Sequence, residues 1–286
     1  MQEDLIYQIR HGVFSKSQKR IAAYVLEHYD KAAFMTAATL GEMADVSEST
    51  VVRFAYELGY EGYPQFQKAL QELIRNRLTS VQRMEVASTK MGEMDILKSV
   101  LQSDIDKLKS TVDEVDAAAF SGAVDIIGSA DTIYVLGART CSPLASFFGF
   151  YLNLIFPNVR IVASNSASET FEQVYRVGKN DVVIGISYPR YSRRTVAALQ
   201  YAAERGAQVV AITDSMSSPI TRYASHTLIA RSDMSTFVDS LVAPLSIINA
   251  LVVALVMRNK EEVGETFQQL ENIWDAYDVY EKNIDG

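Results

Sequence analysis

The sequence predicts two folds in one chain: an all-α N-terminal domain and a three-layer α/β C-terminal domain with a mainly parallel, five-stranded sheet. Up to residue 78, helical periodicity is interrupted only by short turns, and no run resembles a strand. After a polar segment, five runs rich in Val and Ile alternate with helix-length segments, which is typical of a parallel sheet covered on both faces. We therefore predict a helical domain at 1–78, a linker at 79–95 and an α/β domain at 96–286.

Composition limits the classes of function that remain open. The 286 residues carry a formal net charge of −8, with 48% hydrophobic and 22% charged residues, so no global positive field draws the chain to nucleic acid or anionic lipid. Any DNA binding therefore depends on a local surface. The single cysteine excludes an internal disulfide and a Cys-cluster zinc site, and the three scattered histidines form no metal triad. We expect no metal and no other cofactor.

The most apolar stretch, LVAPLSIINALVVALVM at residues 241–257, raises the question of a membrane span. It is short for a span and contains Pro244, Ser246 and Asn249. We expect a buried core or interface helix, no membrane partner and a cytoplasmic protein; the chain's start, with early acids and no long apolar run, does not resemble a signal peptide. So apolar a helix favours burial over most of its circumference, which makes it the best sequence candidate for the contact of a homodimer or homotetramer.

The elements of the α/β domain follow from alternating patterns. We predict one long amphipathic helix over roughly residues 96–129, and strands in the runs TIYVLG, VRIVAS, DVVIGIS, QVVAITD and HTLIA. Helices are predicted in SPLASFFGFYLNLIF, SETFEQVYRV and TVAALQYAAERG, with a short one in SPITRYA and a helical region over 237–280. Short loops and right-handed crossovers then give a doubly wound sheet.

The segment TLGEMADVSESTVVRFAYELGY, residues 39–60, predicts two helices separated by a tight turn. The expected inner faces are apolar: Leu40, Met43 and Ala44 in the first helix, and Val51, Val52, Ala55 and Leu58 in the second. Ser47 is the predicted N-cap of the second helix, and Gly59 ends it. A small residue at Ala44 allows the close helix crossing that a helix-turn-helix requires.

The start of the second helix would present polar groups able to meet phosphates and base edges in a major groove. The candidate DNA-binding residues are Ser47, Ser49, Thr50 and Arg53. The alternative is an ordinary helical hairpin with a solvated polar face. The near-neutral charge of residues 1–80, with Glu48 and Glu57 flanking Arg53, gives that alternative some support.

The run VSESTVVRFAYELGYEGYPQFQKAL resembles the signature of the MurR/RpiR family of bacterial transcription regulators. Their helix-turn-helix contains V-S-x-S-T-V-x-R-F followed by L-G-[FY]-x-G-[FY], and this chain keeps all of it, up to Tyr63. The resemblance implies that Ser49, Thr50 and Arg53 lie on a recognition helix for operator DNA, which we expect to be palindromic. It also implies a C-terminal sugar-isomerase-type (SIS) domain, which residues from about 100 to 260 resemble.

SIS domains bind phosphosugars at the ends of parallel strands, partly through a loop that reads roughly G-x-G-x-S. The corresponding loop in this chain is GARTCS. Gly137 matches the pattern, Arg139 stands in place of the second glycine, and Cys141 replaces the serine, with Ser142 beside it. We expect Cys141 to be a small packing residue that lines the site, since no partner base accompanies it.

The second SIS loop reads S-x-S-G-x-T-x-[ED], and its counterpart here is SYPRYSRR. Ser187 matches and Ser192 replaces the threonine, whereas Pro189, Arg190 and Arg194 replace the second serine, the glycine and the acid. Neither loop therefore offers the carboxylate that a sugar isomerase needs as its base. Glu169 is the nearest candidate by position on the sheet edge, although a solvated residue in a helix's first turn is the simpler interpretation. We expect no catalysis.

These replacements add positive charge to both loops. Guanidinium groups bind phosphate and carboxylate in bidentate fashion, so we predict a site for an anionic effector such as a phosphosugar or a phosphorylated sugar acid. The predicted effector-binding residues are Gly137, Arg139, Cys141, Ser142, Ser187, Tyr188, Arg190, Tyr191, Ser192, Arg193 and Arg194. Three alternatives stay open: arginines that merely pair with surface acids, a sugar-phosphate isomerase with an appended helical domain, and an interaction module that binds no DNA.

Overall fold

A computed structural model describes residues 5–74, 79, 81–84, 95–163, 166–232 and 238–280. Contacts between residues divide the chain into two compact units, the first made mainly of residues up to Ser99 and the second mainly of residues from Val100 onward. The predicted linker, residues 79–95, lies largely outside the described residues, so its role as a linker stays a prediction.

The first unit is helical. Its helices are α1 (Leu5–His11), α2 (Lys16–Glu27), α3 (Tyr29–Ala32), α4 (Ala37–Met43), α5 (Glu48–Glu57) and α6 (Tyr63–Ile74), and residues 81–84 add a helical turn. Phe54 and Phe66 are fully buried and meet edge to face with ring centroids 5.7 Å apart. These aromatic rings fix α5 against α6 and so orient the solvent face of α5.

The second unit is an α/β sandwich. Its helices are α7 (Ile96–Glu114), which begins just before the boundary, α8 (Ala117–Gly128), α9 (Ser142–Ile155), α10 (Ala167–Val174), α11 (Arg193–Glu204), α12 (Val242–Arg258) and α13 (Lys260–Ala276). Its strands are β1 (Ile133–Gly137), β2 (Val159–Val162), β3 (Val182–Ile186), β4 (Gln208–Thr213) and β5 (His226–Ile229). Short 3-10 helices cover Arg139–Cys141 and Pro219–Tyr223.

All five strands are parallel, in the order β2-β1-β3-β4-β5. β1 lies beside β3, with Gly137 opposite Ile186, so the loops that follow these strands leave the sheet side by side. Successive side chains point to opposite faces, and each face has its own core. Val135 packs with α8, α9 and α12, whereas Tyr134 packs with α10 and α11. The predicted three-layer, doubly wound architecture with a five-stranded sheet is confirmed.

The sequence prediction is wrong about one long helix and about one inner-face residue of α4. The predicted helix over 96–129 is two helices, because Asp116 begins a new one by accepting hydrogen bonds from the backbone N–H groups of Ala118 and Ala119. Met43, predicted to face inward, is 54% exposed, and the unpredicted Phe54 occupies the core.

The apolar segment at 241–257 forms α12, which buries one side against the sheet and leaves Val253 and Met257 exposed. Of the helices that the structure describes, none alone is long and apolar enough to cross a membrane. The consecutive helices α12 and α13 meet that criterion only as a pair bent by 100°.

Candidate DNA-binding face and ligand site

The turn between α4 and α5 has the tight geometry of a helix-turn-helix. The backbone N–H of Val46 donates to the Gly41 carbonyl over 2.8 Å, and Asp45 has a left-handed φ of 52°. A Cβ on Gly41 would lie 2.9 Å from the Val46 carbonyl oxygen, so this position requires glycine. Arg20, on α2, holds the turn from outside through its 2.6 Å ion pair with Asp45. Ala44 is buried between the inner faces of α4 and α5, and Gly41 provides a further close approach, to the backbone of the turn.

The first turns of α5 present a connected group of hydroxyls. Ser47 occupies the N-cap position, and its Oγ lies 2.9 Å from Ser49 Oγ and 2.8 Å from Thr50 Oγ1. Arg53 donates from Nε to the Ser49 carbonyl over 3.3 Å. Ser47, Ser49 and Arg53 are exposed and Thr50 is half-buried. Hydroxyls that bond mainly to one another can exchange these bonds for phosphate oxygens, so the face is equipped to bind a DNA backbone.

One residue of this face was not predicted. Tyr56 is 57% exposed and follows Ser49 and Arg53 at the i, i+4, i+7 spacing of one helix face. A sequence signal existed, because that spacing places Tyr56 with the polar residues and not with Val51 and Ala55.

The second candidate site lies where the strand order reverses. The chain runs outward from β1 to β2 and returns to β3 on the other side of β1, so the crevice beyond the carboxyl ends of β1 and β3 is the switch point at which such sheets bind ligands. The two loops predicted to bind the effector both begin there.

In the first loop, the backbone keeps the conformation of a glycine where the sequence has an arginine. A Cβ on Gly137 would lie 2.3 Å from the Cys141 carbonyl oxygen, so only glycine fits that position. Arg139 has φ = 56°, in the left-handed region that a non-glycine residue enters at a cost of about 1–2 kcal/mol. Its side chain is exposed. This position therefore combines a backbone conformation that favours glycine with an exposed guanidinium.

Cys141 is buried, and Ser142 begins α9 beside it. Burial raises the pKa of the thiol from its ordinary 9.0 to about 11, against the opposing effect of the hydrogen bond from the Tyr188 backbone N–H. This contact joins the first loop to the second. The thiol is therefore protonated at neutral pH, in agreement with a packing residue. The Tyr188 ring lies in the core, beneath the loop.

The second loop contains a buried start and an exposed end. Ser187 is 2% exposed, and its carbonyl accepts a 2.7 Å hydrogen bond from the Thr213 hydroxyl. Ser192 caps α11, because its Oγ accepts from the Thr195 backbone N–H over 3.3 Å. Arg193 and Arg194, predicted to lie in the loop, are the first residues of α11.

Two of the predicted effector-binding arginines, Arg193 and Arg194, occupy an unfavourable electrostatic position. A helix N-terminus carries partial positive charge and disfavours cations, yet α11 begins with two of them. Within the described part of the chain, none of the four guanidinium groups takes part in an ion pair or hydrogen bond; these belong to Arg139, Arg190, Arg193 and Arg194. Among the described residues, ion pairs with surface acids therefore do not account for these four arginines. The arrangement is suited to a bound anion.

A small cavity lies at the switch point, between the first loop and the start of α11. Gly137 and Arg194 both line it, and its remaining walls come from Leu136, Ala138, Val162, Thr170 and Thr195. The structure thus brings Gly137, from the first loop, and Arg194, from the start of α11, into contact with the same space. Thr170 and Thr195 were not predicted, since nothing in their local sequence distinguishes them from ordinary helix residues.

A carboxylate that was not predicted lies beneath the second loop. Asp214, directly after β4, is 1% exposed, and its Oδ1 accepts a hydrogen bond from the Tyr191 hydroxyl over 2.9 Å. Thr213 Oγ1 lies 3.2 Å from the same oxygen, but the single proton of that hydroxyl is donated to the nearer Ser187 carbonyl. The carboxylate is therefore a structural acceptor for Tyr191. The sequence did offer a signal for Asp214, because this acidic residue directly follows a predicted strand, β4, that lies beside β3.

The remaining candidates have ordinary surroundings. Glu169 is exposed in the first turn of α10, where its backbone N–H donates to Ser166 Oγ. The imidazole of His226 packs against Gly122 of α8, where an added Cβ would lie 2.2 Å from the ring. Among the described residues, no group of three or more His, Cys, Asp or Glu side chains is arranged to hold a metal ion.

Comparison with known proteins assigns both units. Residues 3–77 match the helix-turn-helix domain of the rpiR family, and residues 126–254 match the SIS domain. The HTH-type transcriptional regulator HexR of Escherichia coli K12 is 26% identical over 283 residues, covering 94% of this chain and 92% of that protein.

Two solved structures agree. The Vibrio vulnificus NanR protein, solved in complex with ManNAc-6P, has a TM-score of 0.59 and 23% identity over 96% of this chain and 98% of its own. The sugar isomerase domain of an RpiR transcription factor from Sphaerobacter thermophilus has a TM-score of 0.59 and 30% identity, covering 62% of this chain and 98% of its own. The chain belongs to the RpiR family of transcriptional regulators, with an N-terminal helix-turn-helix and a C-terminal SIS domain.

Proposed function

We propose that this regulator binds operator DNA through α5 and responds to an anionic sugar metabolite, a phosphosugar or a phosphorylated sugar acid, that binds at the switch point. The four arginines without an acidic partner among the described residues carry the proposal. A bound anion would offset the unfavourable placement of Arg193 and Arg194 at the N-terminus of α11. The NanR complex with ManNAc-6P supports a sugar phosphate as the chemical class.

We propose that the site does not catalyse. Isomerisation requires a base in reach of the substrate, and neither loop contains a carboxylate. Asp214 is buried and accepts a hydrogen bond from the Tyr191 hydroxyl, and Glu169 is exposed on α10. A coupled assay with aldose and ketose phosphates should detect no turnover; turnover abolished by Glu169→Gln would restore the isomerase alternative.

In the DNA-binding part of the proposal, the protein is a cytoplasmic homodimer or homotetramer. Two copies of the chain bind the two halves of a palindromic operator. Exposed apolar residues on α12, including Val253 and Met257, offer one surface for this contact. Gel shifts with the DNA upstream of the protein's own gene test the DNA contact. Arg53→Ala should weaken the shift by about 1–3 kcal/mol.

Isothermal titration tests the ligand site. We expect binding of a member of a panel that pairs sugar phosphates with the corresponding phosphorylated acids, for example glucose 6-phosphate with 6-phosphogluconate. If the arginines select for a second negative group, the phosphorylated acid of the preferred pair should bind roughly tenfold more tightly than the corresponding sugar phosphate. That ratio corresponds to about 1.4 kcal/mol of additional charge-assisted hydrogen bonding. Flat traces across the panel for folded protein would contradict the proposed site.

A further inference from the structure

The buried side of α7 is polar, which is unusual for a helix on the surface of a domain. Lys107 is 3% exposed and Thr111 is 5% exposed, whereas Leu101, Ile105 and Val112 are 53%, 44% and 71% exposed. A surface helix normally buries an apolar stripe. Although the partly buried Leu108 packs against the core, α7 depends largely on directional polar contacts for its place in the second unit.

Most of these contacts go to the segment after β5. The Thr111 hydroxyl accepts from the Arg231 backbone N–H over 2.9 Å, and Glu114 accepts from Arg231 Nε over 2.7 Å. Asp104 accepts from the Ser240 hydroxyl over 2.6 Å. Arg231 therefore contacts α7 through both its backbone and its guanidinium.

The same guanidinium also reaches toward the second loop. Nη1 of Arg231 donates to the carbonyl of Asp214 over 3.3 Å, and the side chain of Asp214 accepts from the Tyr191 hydroxyl. Tyr191 lies between Arg190 and Ser192, in the loop proposed to bind the effector. A continuous series of polar contacts thus joins that loop to α7.

We infer that Asp214 and Arg231 are positioning residues that transmit the effect of ligand binding from Tyr191 to α7. The inference rests on the proposed function, because it concerns the response to the effector. A ligand that draws the Tyr191 hydroxyl toward itself removes a donor from a buried carboxylate, which is costly, so Asp214 and its neighbours must readjust. The Arg231 contacts then shift, and with them the support of α7.

A shift of α7 can affect the DNA-binding unit because of the position of this helix in the chain. The helix starts at Ile96, and the boundary between the two units falls between Ser99 and Val100, inside its first turn. It is therefore the covalent continuation of the chain that carries the helix-turn-helix. Because an α-helix transmits displacement along its axis, a displacement of Glu114 also moves the N-terminal end of α7, which leads to the DNA-binding unit.

Amide hydrogen exchange of the full chain without ligand tests the coupling itself. We expect Tyr191→Phe, which removes only the hydroxyl, to accelerate exchange over residues 104–114 by about tenfold. The matched control is Tyr201→Phe, whose hydroxyl donates to the Tyr175 carbonyl over 3.1 Å away from this series; it should leave α7 unchanged. Unaltered exchange in α7 of folded Tyr191→Phe protein would overturn the inference.

A second variant covers the case in which Tyr191→Phe does not fold. Glu114→Gln weakens the pair with Arg231 at the partly exposed end of the series, where folding is less at risk. It should accelerate exchange in the second loop, residues 187–192, by about threefold or more. An unchanged loop would count against the inference.

A ligand arm separates this inference from the proposed function. With 6-phosphogluconate and inorganic phosphate as probes, Arg231→Lys should keep the wild-type ligand affinity within about twofold but reduce the ligand-dependent change in DNA affinity at least fivefold. An undiminished change in DNA affinity would contradict the inference. If wild-type protein binds neither probe, the proposed ligand class is in doubt, whereas the exchange experiments still decide whether the loop and α7 are coupled.

Discussion

The two candidate sites are prepared for anions in different ways. The face of α5 carries one arginine, Arg53, between Glu48 and Glu57, and hydroxyls that bond to one another. The carboxyl edge of the sheet carries four arginines and no acidic partner for them among the described residues. In the proposed complex with operator DNA, many phosphates are available to a weakly charged face. The proposed small ligand would offer few phosphates, so its site would need concentrated positive charge.

The largest expected effect comes from breaking the helix-turn-helix itself. Gly41→Val should destabilise the first unit by roughly 3 kcal/mol or more and abolish the gel shift, because the new side chain would meet the Val46 carbonyl. Urea unfolding measured separately for the two units checks this. The control is Gly62→Ala, whose Cβ would have its nearest neighbour at 3.7 Å; loss of DNA binding there too would show that any glycine change in this unit has that effect.

The next largest expected effect tests whether ligand binding is specific to the carboxyl edge of the sheet. Arg194→Gln should weaken binding of the preferred ligand by roughly 1.5–3 kcal/mol, since Arg194 lines the cavity at the switch point. Arg176→Gln serves as the control, because Arg176 precedes β3 and so lies at the opposite edge of the sheet. Equal losses in the two titrations would indicate a general electrostatic effect and no specific site.

Cys141 provides a pH-dependent test of the packing between the loops. Its pKa rises from 9.0 to about 11 on folding, so the folded state holds the proton more tightly and stability is fully present below pH 9 and lost as pH rises toward 11. The loss amounts to roughly 2 kcal/mol. Urea midpoints between pH 8 and 11 should fall less steeply for Cys141→Ala than for wild type. Identical slopes would mean that the thiol is not shielded.

The smallest expected effect comes from replacing Arg139, which should raise stability but weaken ligand binding. Arg139→Gly should raise the free energy of unfolding by about 1 kcal/mol by relieving the left-handed φ, yet weaken ligand binding by removing a guanidinium. Arg139→Ala loses the same charge but keeps the strained conformation. If Arg139→Ala is stabilised as much as Arg139→Gly, strain is not the cause.

The sequence predicted the frame of both sites but not the contacts between distant segments. The five strands were recognisable because runs such as those around Val183 and Val210 are buried on both faces and therefore apolar throughout. The break before Asp116 was missed because neither glycine nor proline marks it. The link from Asp214 to Arg231 was beyond reach, since it depends on strand order and on a side chain 17 residues away.

The most direct test of the central claim is the DNA affinity of the full chain, measured by fluorescence anisotropy with DNA from upstream of its own gene, with and without the tightest ligand of the panel. For wild type, ligand should change the dissociation constant at least fivefold, the lower end of typical allosteric coupling. A triple variant with Arg190, Arg193 and Arg194 replaced by Gln should bind DNA within about twofold of wild type without ligand and lose the response. A response of equal size in the triple variant would contradict the claim that these arginines form the sensor.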